Sequence, residues 1–232
     1  MLRSAHKLQG FAITATDGAI GEVDQLYLDD EKWTIRYLVV NTGTWRESEQ
    51  VLISPRAIKR IDWDGNQIYV SLTTEQVRNS PDIDAKKLIS RRYEKAYCDY
   101  YGYECYWDVP GAMAQVGLAS DDVHLRSSKE VIGYHIEAKD GDLGHVHDLI
   151  VEDETWVIRY IVVKTSNWWI GKKVLISPQW IARISWEEEK VFVDLSREEI
   201  KQAPVYDESR FVTREYETSL FDHYERPRYW LG

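Results

Sequence analysis

The sequence lacks long apolar runs. None approaches the roughly 20 consecutive apolar residues that a membrane-spanning helix needs. The first residues, Met1–Lys7, also lack the apolar core of a secretory signal peptide. We therefore expect a protein that does not insert into a membrane and that resides in the cytoplasm.

Basic residues are too few and too dispersed to form a patch. The chain has 29 Lys and Arg against 39 Asp and Glu, a formal net charge of −10. The acidic excess is even, with 14 against 19 in residues 1–123 and 15 against 20 in residues 124–232. Because phosphate contacts dominate nucleic-acid affinity, and anionic lipids also attract basic segments, this composition argues against direct binding to either.

Cysteine is scarce, and the common catalytic motifs are missing. Cys98 and Cys105 are seven residues apart, a spacing that matches no metal or redox motif. There is no Gly-rich phosphate loop followed by a helix and Lys, and no nucleophilic Ser elbow. Paired carboxylates fall in turn segments without an accompanying base or nucleophile. We therefore expect no enzymatic activity and no cofactor.

The chain contains a long internal repeat. Residues 2–101 and 125–224 align without a gap at a fixed offset of 123 residues, and about 40 of roughly 100 aligned positions are identical. A repeat longer than a solenoid unit is a small domain with its own core. We predict one domain at residues 1–108 and another at 124–232, joined by a linker at 109–123 that is rich in small residues.

Each repeat has six short strand patterns, in which apolar and polar residues alternate or β-branched and aromatic residues are concentrated. Turn-forming Asp-Gly dipeptides and acidic clusters separate them. In the first repeat the segments are Gly10–Ala15, Gly21–Leu28, Trp33–Val40, Val51–Pro55, Ile58–Trp63 and Gln67–Leu72. Six antiparallel strands within about 65 residues predict a mainly β fold of two tandem six-stranded barrels, each without an exposed edge.

Glycine and proline mark strand ends and turns in both repeats. Gly21 and Gly144 are retained near the start of a strand, which fits a bulge or a close backbone approach. The residues to which we assign structural roles are Gly18, Gly21, Gly141, Gly144, Pro55 and Pro178.

Two short helices are predicted after the strands of each repeat. Thr73–Gln76 and Ser196–Glu199 match the capping-box pattern that begins a helix. Ser90 and Thr213 precede a second, amphipathic segment with tyrosines on one face. This face could cover the barrel of its own repeat or cross to the other one.

The best metal candidates are His145 and His147. Residues two apart on a strand point to the same side, so the two imidazoles could chelate one ion. The first repeat has Glu22 and Asp24 at these positions, so a solvated polar face is the alternative.

Five residues are candidates for contact with a partner. Trp45, Trp168 and Trp169 lie in a hairpin loop of each repeat, where they could anchor an interface or fold back over the barrel end. Arg36 and Arg159 lie within otherwise apolar strands, where each could pair with an acidic turn or with a partner.

The order of these motifs resembles the PRC-barrel family, which is named for the cytoplasmic β-domain of the photosynthetic reaction centre H subunit. The family also includes the C-terminal domain of a bacterial small-subunit ribosome-maturation factor. The segments that carry the resemblance are Gly21–Asp24, Trp33–Gly43 and Val51–Pro55, and in the second repeat Gly141–Gly144, Trp156–Val163 and Val174–Pro178. The resemblance implies a six-stranded barrel that acts as a protein-docking module without a catalytic site.

These observations favour a non-enzymatic scaffold that binds a protein partner or self-associates, including as a homodimer. One alternative is a small-ligand or metal-binding protein that uses a cleft between the barrels or His145 and His147. A second alternative is an accessory role in assembly or electron transfer, similar to that of the H subunit.

Overall fold

The computed structural model describes residues 1–43, 50–82, 89–107, 124–165 and 171–231. These residues form a mainly β structure of two seven-stranded sheets with a few short helices. No helix within them is both long and apolar enough to span a bilayer. The predicted linker at 109–123 and the loop tryptophans Trp45, Trp168 and Trp169 lie outside the described residues.

The two repeats contain the same strands in the same order. The strands of the first repeat are β1 (Leu2–Ser4), β2 (Ala12–Thr14), β3 (Ala19–Asp29), β4 (Thr34–Asn41), β5 (Gln50–Ile53), β6 (Ile58–Asp62) and β7 (Gln67–Val70), followed by helices α1 (Thr74–Arg78) and α2 (Arg91–Tyr101). The strands of the second are β8 (Leu125–Ser127), β9 (His135–Ala138), β10 (Gly141–Glu152), β11 (Ile158–Thr165), β12 (Lys173–Ile176), β13 (Ile181–Ser185) and β14 (Lys190–Val193), with helices α3 (Ser128–Val131), α4 (Arg197–Gln202) and α5 (Arg214–His223).

Each sheet has one parallel strand pair. The order is β5-β4-β3-β2-β7-β6 in one sheet and β12-β11-β10-β9-β14-β13 in the other, and each order is an open path within the described residues. Strands β2 and β7 pair in parallel, as do β9 and β14, while the other pairs are antiparallel. The prediction of a purely antiparallel arrangement is therefore wrong at one pair in each sheet.

A corner after β5 explains the parallel pair. Pro55 begins a 3-10 turn, Pro55–Ala57, whose first turn is capped by the Ser54 hydroxyl, and β6 begins directly afterwards. Proline suits this position because it has no N–H to leave unpaired. The chain bends here and does not fold back to pair with β5. The β6–β7 hairpin that follows places β7 beside β2, and these two strands run in the same direction. Ser177 and Pro178 make the same corner in the second repeat.

A seventh strand, absent from the sequence-based prediction, completes each sheet. β8 pairs with β3, and β1 pairs with β10. The compact units follow this pairing rather than the repeat boundaries: the N-terminal unit is Leu8–Ser128, and the C-terminal unit is Met1–Lys7 together with Lys129–Gly232.

The helices pack on the sheet of their own unit. Thr73 and Ser196 form the capping boxes of α1 and α4. In the N-terminal unit Tyr97 of α2 is fully buried and its ring lies 5.1 Å from that of Tyr37 on β4. In the C-terminal unit Leu220 of α5 takes the same position in the repeat and is also buried. Of the two arrangements considered for the amphipathic helix, the structure has the one that covers its own sheet.

Candidate functional site

A buried carboxylate lies between sheet and helix in the N-terminal unit. Glu94 of α2 has no exposed surface. The hydroxyls of Tyr37 and Tyr106 each donate a hydrogen bond of 3.1 Å to Glu94 Oε1. His124 Nε2, also buried, lies 3.1 Å from Glu94 Oε2. The carboxylate thus ties together β4, α2, the segment after α2 and the residue before β8.

The C-terminal unit repeats this carboxylate cluster with one change. Glu217 of α5 accepts hydrogen bonds of 2.7 Å from Tyr160 and 2.8 Å from Tyr229. Its other oxygen pairs with Arg214 at 2.9 Å. An arginine in the C-terminal unit therefore contacts the second carboxylate oxygen, as a histidine does in the N-terminal unit.

Arg36 and Arg159 cover these clusters. Arg36 pairs with the buried Asp29 at 2.7 Å, and its guanidinium lies 3.7 Å from the centre of the Tyr106 ring. Arg159 pairs with Glu152 at 2.6 Å and lies 4.3 Å from the centre of the Tyr229 ring. Both arginines are thus engaged with an acidic residue at the end of the preceding strand and with an aromatic face.

The tyrosines of the clusters act as hydrogen-bond donors. Burial and the neighbouring carboxylate raise the pKa of Tyr37, Tyr106 and Tyr160 far above the ordinary value. Burial and the Glu217 hydrogen bond raise the pKa of Tyr229 to about 12. These hydroxyls stay protonated at neutral pH and can donate to the carboxylate. The arrangement therefore suits a structural role, in which the C-terminal segment of each unit is held against its sheet.

Sequence reasoning missed the carboxylate clusters. Two signals were present. Glu94 and Glu217 are identical and lie on a helix face that is otherwise aromatic or apolar, and the Tyr-Trp pairs at 106–107 and 229–230 extend the repeat beyond residue 101. Because a charged residue in a short helix is ordinarily solvated, the burial of these two glutamates was not expected.

The connection between α4 and α5 exposes apolar side chains in the C-terminal unit. Val205 is 61% exposed and Phe211 66% exposed. They border a cleft of about 360 Å³. The cleft is lined by Val205, Tyr206, Asp207, Arg210, Phe211, Val212, Thr213 and Tyr216. This cleft and its two exposed residues are called the apolar cleft below.

His147 contacts an acidic side chain of another segment. His147 Nε2 lies 3.0 Å from Glu208 Oε1, and Lys173 also contacts Glu208. Burial and the charge of Lys164 lower the pKa of His145. Across the described ranges, no group of three or more His, Cys, Asp and Glu side chains is arranged to hold a metal ion.

The four glycines to which structural roles were assigned lie at turns or at close approaches between backbone segments. A Cβ on Gly21 would be 2.0 Å from the carbonyl oxygen of Asn41, and one on Gly144 would be 2.1 Å from that of Lys164. Gly141 has a φ of +130°, which disfavours other residues. Gly18 accepts a hydrogen bond from Ala15 N–H across the β2–β3 turn.

The cysteines are buried thiols. Cys98 and Cys105 are both free. Burial and the adjacent Cys105 raise the pKa of Cys98 to about 12, so its reactive thiolate form is scarce at neutral pH.

Comparison with known proteins gives one result. A model of the PRC-barrel domain family matches the chain twice, at residues 2–77 and 125–200. No curated protein matches the chain. The matched ranges begin at β1 and β8 and end in α1 and α4. The clusters around Glu94 and Glu217 therefore lie beyond the matched ranges, apart from Tyr37, Tyr160, Arg36 and Arg159.

Proposed function

Because the chain belongs to the PRC-barrel domain family through both of its repeats, we propose that it is a non-enzymatic docking module that binds a protein partner. We further propose that each sheet curls into a barrel of the family type. A tandem pair of such modules would raise the local concentration of binding sites for a repeated or symmetric target.

The observation that carries this proposal is the apolar cleft. Val205 and Phe211 are large apolar side chains that remain more than half exposed beside a concave surface. Exposed apolar residues around a concavity are typical of protein–protein contacts, where a partner side chain fills the pocket and excludes water. The cleft has room for one such side chain.

The carboxylate clusters support a non-enzymatic role. Glu94 and Glu217 are buried, and each is held by two tyrosine hydroxyls and a cationic or imidazole group. A catalytic carboxylate needs access to a substrate, whereas these side chains have almost none. Their arrangement fits stabilisation of each unit, and the Glu217 cluster lies in the unit that presents the docking surface.

Affinity capture with the full chain tests the docking proposal. Val205→Asp and Phe211→Asp should each abolish recovery of a partner, because a carboxylate would be buried in an apolar contact. Leu231→Asp is the matched control, since Leu231 is 73% exposed in the same unit but does not line the cleft. Partner recovery that is unchanged in both cleft variants, or a copurifying small molecule with no protein partner, would contradict the proposal.

The loop tryptophans offer a second test of docking. Trp45→Ala combined with Trp168→Ala should weaken capture of the same partner if these loops join the interface. Normal capture by this double variant would remove the loops from the proposed surface and leave the apolar cleft.

A further inference from the structure

The seventh strand of each sheet comes from the other repeat. Leu2–Ser4 pairs with Ile150–Glu152 of the second repeat. Leu125–Ser127 pairs with Tyr27–Asp29 of the first. Both pairings have the same register, since Leu2 faces Glu152 and Leu125 faces Asp29 at equivalent positions of the repeat. The exchange is therefore reciprocal.

Strand lengths create the place into which the exchanged strand fits. β10 has 12 residues, but β9 has only 4 and pairs with residues 141–145 of β10. The same side of β10 at Ile150–Glu152 would otherwise present unpaired backbone groups. β1 adds there as an edge strand, which is the geometry of strand-addition recognition. We call this position on β10 the strand slot.

Both backbone and side-chain hydrogen bonds hold the entering segment in the strand slot. Met1 C=O accepts a hydrogen bond of 2.9 Å from Asp153 N–H, and Ala5 N–H donates one of 2.8 Å to Leu149 C=O. The Ser4 hydroxyl donates to the Asp148 carboxylate, which also accepts from His6 N–H at 3.1 Å.

Charge complementarity adds to these bonds. The entering segment carries Arg3 and Lys7, while the slot carries Asp148, Glu152 and Asp153. Arg3 Nε lies 3.5 Å from Asp153 Oδ2. The slot thus favours a basic extended segment over an acidic one.

The geometry allows more than one segment to occupy such a slot. β2 pairs with β3 in antiparallel fashion, with Ala12 opposite Glu22. A chain continuing straight back from β2 would bring Leu2–Ser4 beside Tyr27–Asp29 of its own repeat. That place is held by Leu125–Ser127, which has the identical Leu-Arg-Ser sequence. Two occupants of the same sequence and register can replace each other, which is the condition for strand exchange.

We propose that the strand slot is a binding site for residues 1–7 of a second copy of this chain, so that two copies can join by exchanging β1. Within one chain the tethered strand has a high effective concentration and fills the slot. Exchange between chains therefore requires unfolding or high protein concentration.

Disulfide trapping in the full chain tests the proposal. Chains with Leu2→Cys and chains with Glu152→Cys are mixed, refolded together and oxidised, because these two residues face each other in the slot. We expect a disulfide-linked heterodimer whose ratio to monomer rises about tenfold when the chain concentration rises tenfold. Glu154→Cys in place of Glu152→Cys is the matched control, since residue 154 lies in the turn beyond the paired strand.

Peptide binding gives an independent readout. A full chain with Arg3→Asp and Ala5→Pro has a disabled strand of its own, and it should bind a labelled peptide of residues 1–7 at a 1:1 ratio. The same peptide carrying Ala5→Pro lacks the N–H that bonds to Leu149 and should bind at least tenfold more weakly. Heterodimer no more abundant than in the Glu154→Cys control would overturn the proposal. So would equal binding of the two peptides by the folded chain.

Discussion

The Tyr160 hydroxyl donates a 2.7 Å hydrogen bond to the Glu217 carboxylate, and Tyr37 makes the corresponding 3.1 Å bond to Glu94. Residues at equivalent positions of the two repeats, 123 apart, thus bury an equivalent carboxylate against an equivalent strand in each unit. The repeat preserves a polar contact inside the structure as well as the apolar core. This contact joins α2 to β4 and α5 to β11, and its energetic weight can be measured.

Tyr160→Phe should lower the free energy of unfolding by about 1–3 kcal/mol, because the buried Glu217 carboxylate loses one of its hydrogen-bond donors. Tyr37→Phe should act in the same direction in the other unit. Urea unfolding followed by circular dichroism measures both. Tyr100→Phe is the control, since its hydroxyl bonds at an exposed site and its loss should change stability by less than about 0.5 kcal/mol. Equal effects at all three positions would show that the clusters contribute no special stability.

The β13–β14 turn contains a residue in an unfavourable backbone conformation. Glu189 has a φ of +53°, and Asn66 takes the same conformation, with a φ of +52°, in the β6–β7 turn. Asparagine tolerates the left-handed region and glutamate does not. Glu189→Asn should therefore raise the free energy of unfolding by about 0.5–1 kcal/mol, and Asn66→Glu should lower it by a similar amount. Thermal unfolding of the two variants checks the opposite signs; a shift in the same direction for both would contradict this account.

Local patterns in the sequence predicted the elements better than their pairing. Strand alternation and helix caps depend on neighbouring residues, so the positions of β2–β7 and the caps at Thr73 and Ser196 could be predicted. The source of the seventh strand could not, because Leu-Arg-Ser occurs identically in both repeats and pairing across the chain leaves no local signal. The parallel pair was missed for a related reason. Ser54-Pro55 was correctly interpreted as the end of a strand, but the corner that it forms between β5 and β6 was not predicted.

The candidate site was predicted only in part. Arg36 and Arg159 were expected to pair with acidic turns or with a partner, and the structure places each against an acidic residue next to such a turn. The apolar cleft had no sequence signature, because Val205 and Phe211 are single apolar residues in a polar connection and only the folded chain brings them to one rim.

Gly144 should not tolerate a side chain. The Cβ of Gly144→Ala would lie 2.1 Å from the carbonyl oxygen of Lys164, a backbone atom that is fixed by pairing with β12. We expect a loss of about 3 kcal/mol or more in the free energy of unfolding. Gly10→Ala is the control, because it also requires a positive φ but has no atom within 4 Å of the new Cβ, so it should cost only about 1 kcal/mol. Denaturant unfolding of both variants compares them; similar losses would mean that backbone conformation, not close approach, constrains Gly144.

Two adjacent carboxylates should affect acid stability with opposite signs. Burial raises the pKa of Asp29, but the Arg36 hydrogen bond and two backbone donors together outweigh it and hold the pKa below the ordinary value. Asp29 therefore contributes stability above its unfolded pKa, and this contribution is lost as pH falls through the folded pKa. Burial raises the pKa of Asp30 above its ordinary value despite Arg126. Asp30 contributes stability at pH values below its unfolded pKa, and this contribution is lost as pH rises through the folded pKa.

The matched variants are Asp29→Asn and Asp30→Asn, compared with the unaltered chain by urea unfolding at pH 7 and pH 3. Asp29→Asn should be less stable than the unaltered chain at pH 7, and the difference should shrink at pH 3, because the unaltered chain then loses the benefit of the Arg36 pair. For Asp30→Asn, the stability of the unaltered chain relative to the variant should instead increase between pH 7 and pH 3. Asp29 and Asp30 are neighbours with the same side chain. Opposite signs of the pH dependence of stability therefore separate the effect of Arg36 and the backbone donors from the effect of burial. A parallel pH dependence of the two variants would show that burial governs both carboxylates and that the Asp29–Arg36 pair does not set the acid stability of the N-terminal unit.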